Sequence, residues 1–244
     1  MENNDMTLDF GNHPIAIKAL VGSWASNLQT PASDKDWKYF VTPTFDDLYS
    51  GKMFSQAEVS DTLDYDCHDI RKLGELVWKA NINFIITLFS PVYECNPMIQ
   101  WVFDNADRYA TMNLPAFYNS TINMHVEKMK KLLEPTGNTQ ILVDKFGYDT
   151  KQATHALRCL YILNRIANHG MSVRQAFWFE GRDRDVLLGV KAGNQSLDEF
   201  REYVGLYRSM HDNSIRNWFF QQTANEELSV ELNSGIKQFI RINL

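Results

Sequence analysis

Cysteine is scarce: Cys67, Cys95 and Cys159 are the only three in 244 residues, and they are widely spaced. An odd, scattered set makes neither a disulfide framework nor a zinc site, and it suits a reducing compartment. The six histidines contain no His-x-x-x-His pair, and no Cys-x-x-Cys pair exists either, so zinc chemistry is not expected. No apolar run approaches the roughly 20 residues needed to span a bilayer. Residues 1–11 are polar and acidic with no apolar stretch, which excludes a signal peptide there. The expectation is a soluble, cytoplasmic protein with no membrane partner. A basic surplus is lacking too, since 24 Lys and Arg face 30 Asp and Glu for a net charge of −6. Bulk electrostatic capture of nucleic acid is thereby excluded, although a local basic cleft is not. Internal repeats and low-complexity tracts are also missing.

What is present is an ordinary globular balance, 44% hydrophobic and 22% charged, in a chain long enough to bury a sizeable core. Ile15, Ile17, Ala19 and Val21 alternate with Ala16, Lys18 and Leu20 behind Pro14, which predicts a strand. It runs into Gly22-Ser23, and a short helix is predicted over residues 24–29. Residues 36–41 predict a second strand, and the alternation over residues 58–66 predicts a third. Helical spacing then takes over. Ile70, Leu73, Val77 and Ala80 mark one helix with Asn81 as its stop. Asn96-Pro97 opens another to about residue 109, and a third spans residues 115–133 with a basic end. Asp149 caps a helix over residues 150–168 that Gly170 closes, and Ser196 to Glu199 is a capping box for a long one. Phe177-Trp178-Phe179 before Gly181-Arg182-Asp183-Arg184 reads as a buried strand with a charged turn, or more sharply as a base-stacking surface. Residues 133–148 are the expected connection between lobes. The predicted fold is α+β: a small mixed sheet in a catalytic lobe over residues 1–133, then a mainly helical lobe over residues 134–244.

A Gly-Ser pair alone is a common turn, and an Asp-x-Asp alone is usually a solvated strand end. Their order here is more specific: strand, Gly22-Ser23, helix, about ten residues, Ser33-Asp34-Lys35-Asp36, strand, acidic strand. Transfer of a nucleotidyl group needs converging carboxylates for magnesium, a hard cation that takes oxygen ligands. It also needs backbone N–H groups to cradle a triphosphate. Gly22 lets backbone approach a phosphate closely, and Ser23 offers a hydroxyl beside it. Asp34 and Asp36, two apart at a strand entry, point to one face. Asp64 and Asp66 share a face of the third predicted strand, so either can complete the cage.

These residues resemble the DNA polymerase β superfamily of nucleotidyltransferases, with its Gly-Ser, spacer and Asp-x-Asp. The chain is most similar to the predicted RNA-repair-pathway nucleotidyltransferases, through Gly22-Ser23-Trp24-Ala25-Ser26-Asn27-Leu28, the Ser33 to Asp36 motif and the aromatic strand to Pro43. Further blocks are Asp64 to Lys72, Asn81 with Ser90-Pro91-Val92-Tyr93, and a Lys151, His155, Arg158 pattern on a later helix. The resemblance covers roughly residues 15–170. Asn27 replaces a family glycine, an exchange that asparagine's access to left-handed backbone permits. Ile82 and Ile86 replace a proline and a glutamate.

The resemblance implies a palm-like sheet lobe, two magnesium ions and an NTP substrate. It makes Asp34, Asp36 and Asp64 the metal ligands, with Asp66 the alternative third carboxylate. Gly22 and Ser23 would hold the triphosphate, and Lys72, Lys151, His155 and Arg158 would contact phosphates. The reaction implied is transfer of NMP to an acceptor hydroxyl, the favoured acceptor being a tRNA-like RNA 3′ end. A toxin-type enzyme that AMPylates protein, and a non-catalytic nucleotide- or protein-binding module on the same fold, are the other two readings.

Overall fold

β-Branched and apolar residues alternate along Ile15–Leu20, and this segment forms β1, the buried middle of a five-stranded sheet. The computed structural model describes residues 8–60, 64–135 and 139–244. Beside β1 lie β2, Asp36–Val41, and β5, Tyr93–Cys95, both antiparallel to it. The helix α1, Phe45–Ser50, follows β2 behind a capping box of Thr44 and Asp47. Next come β3, Ser55–Val59, and β4, Asp64–Asp69, which pair antiparallel with each other. The predicted third strand is therefore two: its alternating pattern runs across both, and residues 61–63 lie outside the described part. β4 then lies parallel to β2, giving the order β3-β4-β2-β1-β5.

The parallel register decides the chemistry of the sheet. It sets Asp36 opposite Asp64 and Lys38 opposite Asp66. Residues two apart share a face, so Asp36, Lys38 and Phe40 face the same way as Asp64, Asp66 and His68. The helices cover this face. On the other face Phe10, Tyr39, Val41, Tyr65 and Cys67 form a small separate cluster, with edge-to-face aromatic pairs 5.3–6.0 Å apart.

The helices continue as α2 (Arg71–Trp78), α3 (Ile82–Ile85), α4 (Trp101–Asp104), α5 (Ala106–Ala110), α6 (Leu114–Lys130), α7 (Gln140–Phe146), α8 (Thr150–Ala167), α9 (Val173–Phe177), α10 (Gly181–Lys191), α11 (Leu197–Phe220) and α12 (Glu226–Ile242). Asp149 caps α8 by accepting from Gln152 N, and the Ser196/Glu199 capping box opens α11. Several boundaries differ from the sequence reading. The helix after Gly22-Ser23 is one 3-10 turn, Trp24–Ser26, because Asn27 turns left-handed at φ 54°. Ala80, also at positive φ, ends the α2 segment, and Asn81 caps α3 instead of closing α2. The helix behind Asn96-Pro97 breaks into a 3-10 turn, α4 and α5. Phe177-Trp178-Phe179, expected as a buried strand before a charged turn, is instead the end of α9 and a short non-strand link, and Gly181 to Arg184 opens α10; part of the predicted connection is α7.

Buried side chains from Ala16 in β1 to Ile240 in α12 make one continuous cluster. Phe219 of α11 stacks on Phe117 of α6 with centroids 6.1 Å apart. The last helix returns to the first part of the chain through close contacts. A Cβ on Gly74 of α2 would lie 2.2 Å from Asn233, and one on Gly235 of α12 would lie 2.5 Å from Trp101. Tyr109 of α5 donates to Glu231 at 2.7 Å. Among the described residues no helix is long and apolar enough to cross a membrane.

Candidate active site

β1 ends against β2 and β5. Val21 N–H donates to the Asp36 carbonyl at 2.8 Å and Leu20 N–H to the Val92 carbonyl at 2.9 Å. The buried Ser90 hydroxyl, 2.7 Å from the Leu20 and Val92 carbonyls, ties the same corner. There the chain turns at Gly22, φ +63°. A Cβ on Gly22 would fall 1.8 Å from Asp36 Oδ2. Glycine is thus required twice, for the left-handed backbone and for the carboxylate that occupies the space.

Asp34, Asp36 and Asp64 each bring a carboxylate oxygen to within 4.8 Å of the others. The Asp36 carboxyl is raised to about 6, by burial first and by the neighbouring Asp64 and Asp34 carboxylates, with Lys151 opposing them. Three hard oxygen donors carrying an excess of negative charge fit a divalent cation such as magnesium. Asp66 does not join them. Lys38 Nζ and His68 Nε2 each lie 2.8 Å from its Oδ2. Burial raises its carboxyl, but the His68 and Lys38 contacts outweigh that and hold it well below the usual carboxylate range. The fully buried Asp69 is likewise committed, accepting from the Arg71 amide and Nε at 2.9 Å.

Across from the triad runs α8. Its Lys151, His155 and Arg158, at i, i+4 and i+7, share one face. With Gly22, Ser23, Asp34 and Asp36 they line a cavity of about 450 Å³. Burial, then the Arg158, Lys128, Lys151 and Lys191 charges, push the His155 imidazole well below its ordinary range, so the ring is neutral at pH 7. Arg158 is buried, and its Nη1 reaches Ser26 Oγ at 3.3 Å. Its Nε and the Thr150 hydroxyl, both at the cavity wall, are buried with no hydrogen-bond partner among the described residues. Ile141 and Leu142 of α7 supply an apolar side.

Two anchors hold the loop that carries Asp34. The Trp24 indole donates to the Asp34 carbonyl at 2.9 Å, so this bulky residue braces the acidic loop. On the other side, Lys191 Nζ donates to the Leu28 carbonyl and to Ser33 Oγ, both at 3.1 Å. Asn27 is clasped as well, donating to the Phe179 carbonyl at 2.9 Å and accepting from Arg184 Nε at 2.7 Å.

Of the residues singled out in the sequence, Gly22, Ser23, Asp34, Asp36, Lys151, His155 and Arg158 line one cavity, and Asp64 closes the triad. Lys72 is placed elsewhere. It follows the far end of β4, about 17 Å along the strand from Asp64 at ~3.3 Å per residue, and it is not among the cavity-lining side chains. Lys191, Thr150, Thr154, Ile141 and Leu142 were missed. The helical pattern marks their elements, but only the tertiary fold turns those elements toward Asp36. Phe177 and Phe179 are buried and Trp178 is part-exposed, so the aromatic run is chiefly core.

Two aspartates of a mixed sheet and a third on the loop before β2, beside a Gly-Ser turn and facing a basic helix, make the arrangement expected of a polymerase β-type nucleotidyltransferase. The model of the RNA repair pathway DNA polymerase beta family matches residues 8–179, and the chain belongs to that family. No curated protein and no solved structure matches the chain.

Proposed function

We propose that the protein is a magnesium-dependent nucleotidyltransferase that moves NMP from an NTP to the 3′ hydroxyl of an RNA, releasing pyrophosphate. The observation that carries this reading is the convergence of Asp34, Asp36 and Asp64 within 4.8 Å on one side of a cavity whose opposite wall is basic. Asp34 and Asp36 would hold two magnesium ions, with Asp64 as a further carboxylate ligand. Magnesium supplies activation of the attacking hydroxyl and neutralisation of the leaving phosphates.

The chain's own residues do the rest. Gly22 and Ser23 bring backbone and a hydroxyl against the β- and γ-phosphates. Lys151 and Arg158 donate to phosphate oxygens, and the neutral His155 adds a donor without a further charge. Arg158, whose buried Nε has no hydrogen-bond partner among the described residues, is already desolvated, so little reorganisation is needed when charge develops. Ile141 and Leu142 offer a surface for the base or sugar. Asp66, paired with Lys38 and in contact with His68, takes no part in the metal site on this reading. The RNA acceptor is supported by the family's description. The three cysteines, free thiols here, suit a cytoplasmic setting.

Incubation with α-labelled NTPs, magnesium, total RNA and total protein tests the acceptor. The expected result is label on RNA 3′ ends. Label confined to protein favours an AMPylating enzyme. No label, together with no metal-dependent NTP binding, leaves a non-catalytic binding module and contradicts the reading.

A further inference from the structure

The family match ends at residue 179, yet one cavity-lining side chain comes from beyond it. Lys191 is the last residue of α10 and lines the cavity together with Ser23, Asp34 and Lys151. An ammonium has three donors. Two are engaged, with the Leu28 carbonyl and Ser33 Oγ. Those two acceptors bracket the loop that leads from the Gly-Ser turn into Asp34. Ser33 Oγ also accepts from Thr30 N–H at 2.9 Å, and Ser33 N–H donates to the Thr30 carbonyl at 2.9 Å, so the loop is tightly closed around the lysine's anchor point. Asp34, Asp36 and Lys151 line the same cavity, so the Lys191 ammonium shares that space with both acidic and basic groups. A cation held there by neutral acceptors, half-buried and turned to the cavity, suits a ligand with more negative charge than one magnesium ion cancels. A triphosphate is such a ligand.

Resting on the nucleotide reading of this cavity, we propose that Lys191 is a phosphate-binding residue of the site, contributed by a helix outside the span shared with the family. It contacts the tail of the triphosphate alongside Lys151 and Arg158, from the end of α10.

The test is calorimetric binding of magnesium tripolyphosphate to the full chain and to Lys191→Met, Lys191→Gln and Lys191→Arg, with melting temperatures measured in parallel. Glutamine can still donate to Leu28 and Ser33 but has no charge, whereas arginine keeps the charge. The expected result is an affinity about tenfold lower for Met and Gln alike, from loss of a charge-assisted hydrogen bond, and near-native binding for Arg. Wild-type affinity in the Gln variant would show that the lysine only closes the loop and would overturn the proposal. So would equal affinity in all four proteins, while leaving the nucleotide reading intact. Failure of the unmodified protein to bind the probe would overturn both. Should the Met variant not fold, the comparison of Gln with Arg decides.

Discussion

Gly22 and Asp36 claim the same space: the carboxylate lies where any Cβ at position 22 would stand. That contact makes the Gly-Ser turn and the Asp-x-Asp motif one unit, although fourteen positions separate them. Asp36 is under electrostatic stress, its carboxyl raised to about 6 by burial and by two neighbouring carboxylates. The native state therefore binds this proton more tightly than the unfolded chain does. The stability from that difference is complete below about pH 4 and disappears as pH rises through 6. Asp36→Asn, which carries no charge, is expected to melt a few degrees above the metal-free parent at pH 8 and to lose this advantage toward pH 4. Melting both proteins in chelator across this range checks the sign. The two candidates for third carboxylate also separate at this scale. Asp64→Asn should cut turnover by on the order of 100-fold or more, because it removes a ligand from the reacting centre. Asp66→Asn should keep turnover within about tenfold and cost about 1–2 kcal/mol, the low end for a charged hydrogen bond because this carboxyl is part-exposed. Steady-state rates and denaturation of the two variants decide it. The aspartates were legible in the sequence as a face-sharing pair on a strand. Which of Asp64 and Asp66 gathers with Asp34 and Asp36 was not, since Asp66 is taken up by Lys38 across the ladder and by His68 two places along its own strand.

Among the elements, α8 balances the acid of the sheet with base. Lys151 opposes the rise of the Asp36 carboxyl, so beside the phosphate contact proposed for it, it favours the ionised form of Asp36. Lys151→Met is expected to raise KM for NTP roughly tenfold. It should also move the pH midpoint of manganese binding upward, because Asp36 then gives up its proton less readily. Manganese titrations at several pH values read this shift, which a merely structural lysine would not produce. The i, i+4, i+7 spacing on α8 was readable from the sequence because it is local. The parallel pairing of β2 with β4, which brings Asp36 beside Asp64, was not. Strand partners and register are tertiary facts, and the unbroken alternation across residues 58–66 hid the split between β3 and β4. The Gly-Ser helix was over-read as well: Asn27 stops it after one turn, so its cradle rests on local N–H groups and Ser23 more than on a helix dipole.

For the molecule as a whole, the helices after residue 179 are structural partners of the earlier, sheet-bearing part of the chain. Phe219 stacks on Phe117, α12 returns to Gly74 of α2, and Lys191 reaches the cavity. The early strands and later helices were visible in the sequence pattern. This return was not, because it depends on close approach at Gly74 and Gly235, where composition carries no directional signal. With one core continuous from Ala16 to Ile240, the protein is expected to unfold in a single calorimetric transition. Two resolved transitions would contradict the continuity.

The central claim concerns where the bond breaks. Parallel reactions with NTP labelled at the α- or the γ-phosphate, in magnesium with RNA, test it directly. The predicted result is that α-label becomes RNA-bound, γ-label appears only in pyrophosphate, and both signals vanish in Asp36→Asn. Transfer of γ-label to the acceptor, or undiminished α-label transfer by the Asp36→Asn protein, would contradict the account.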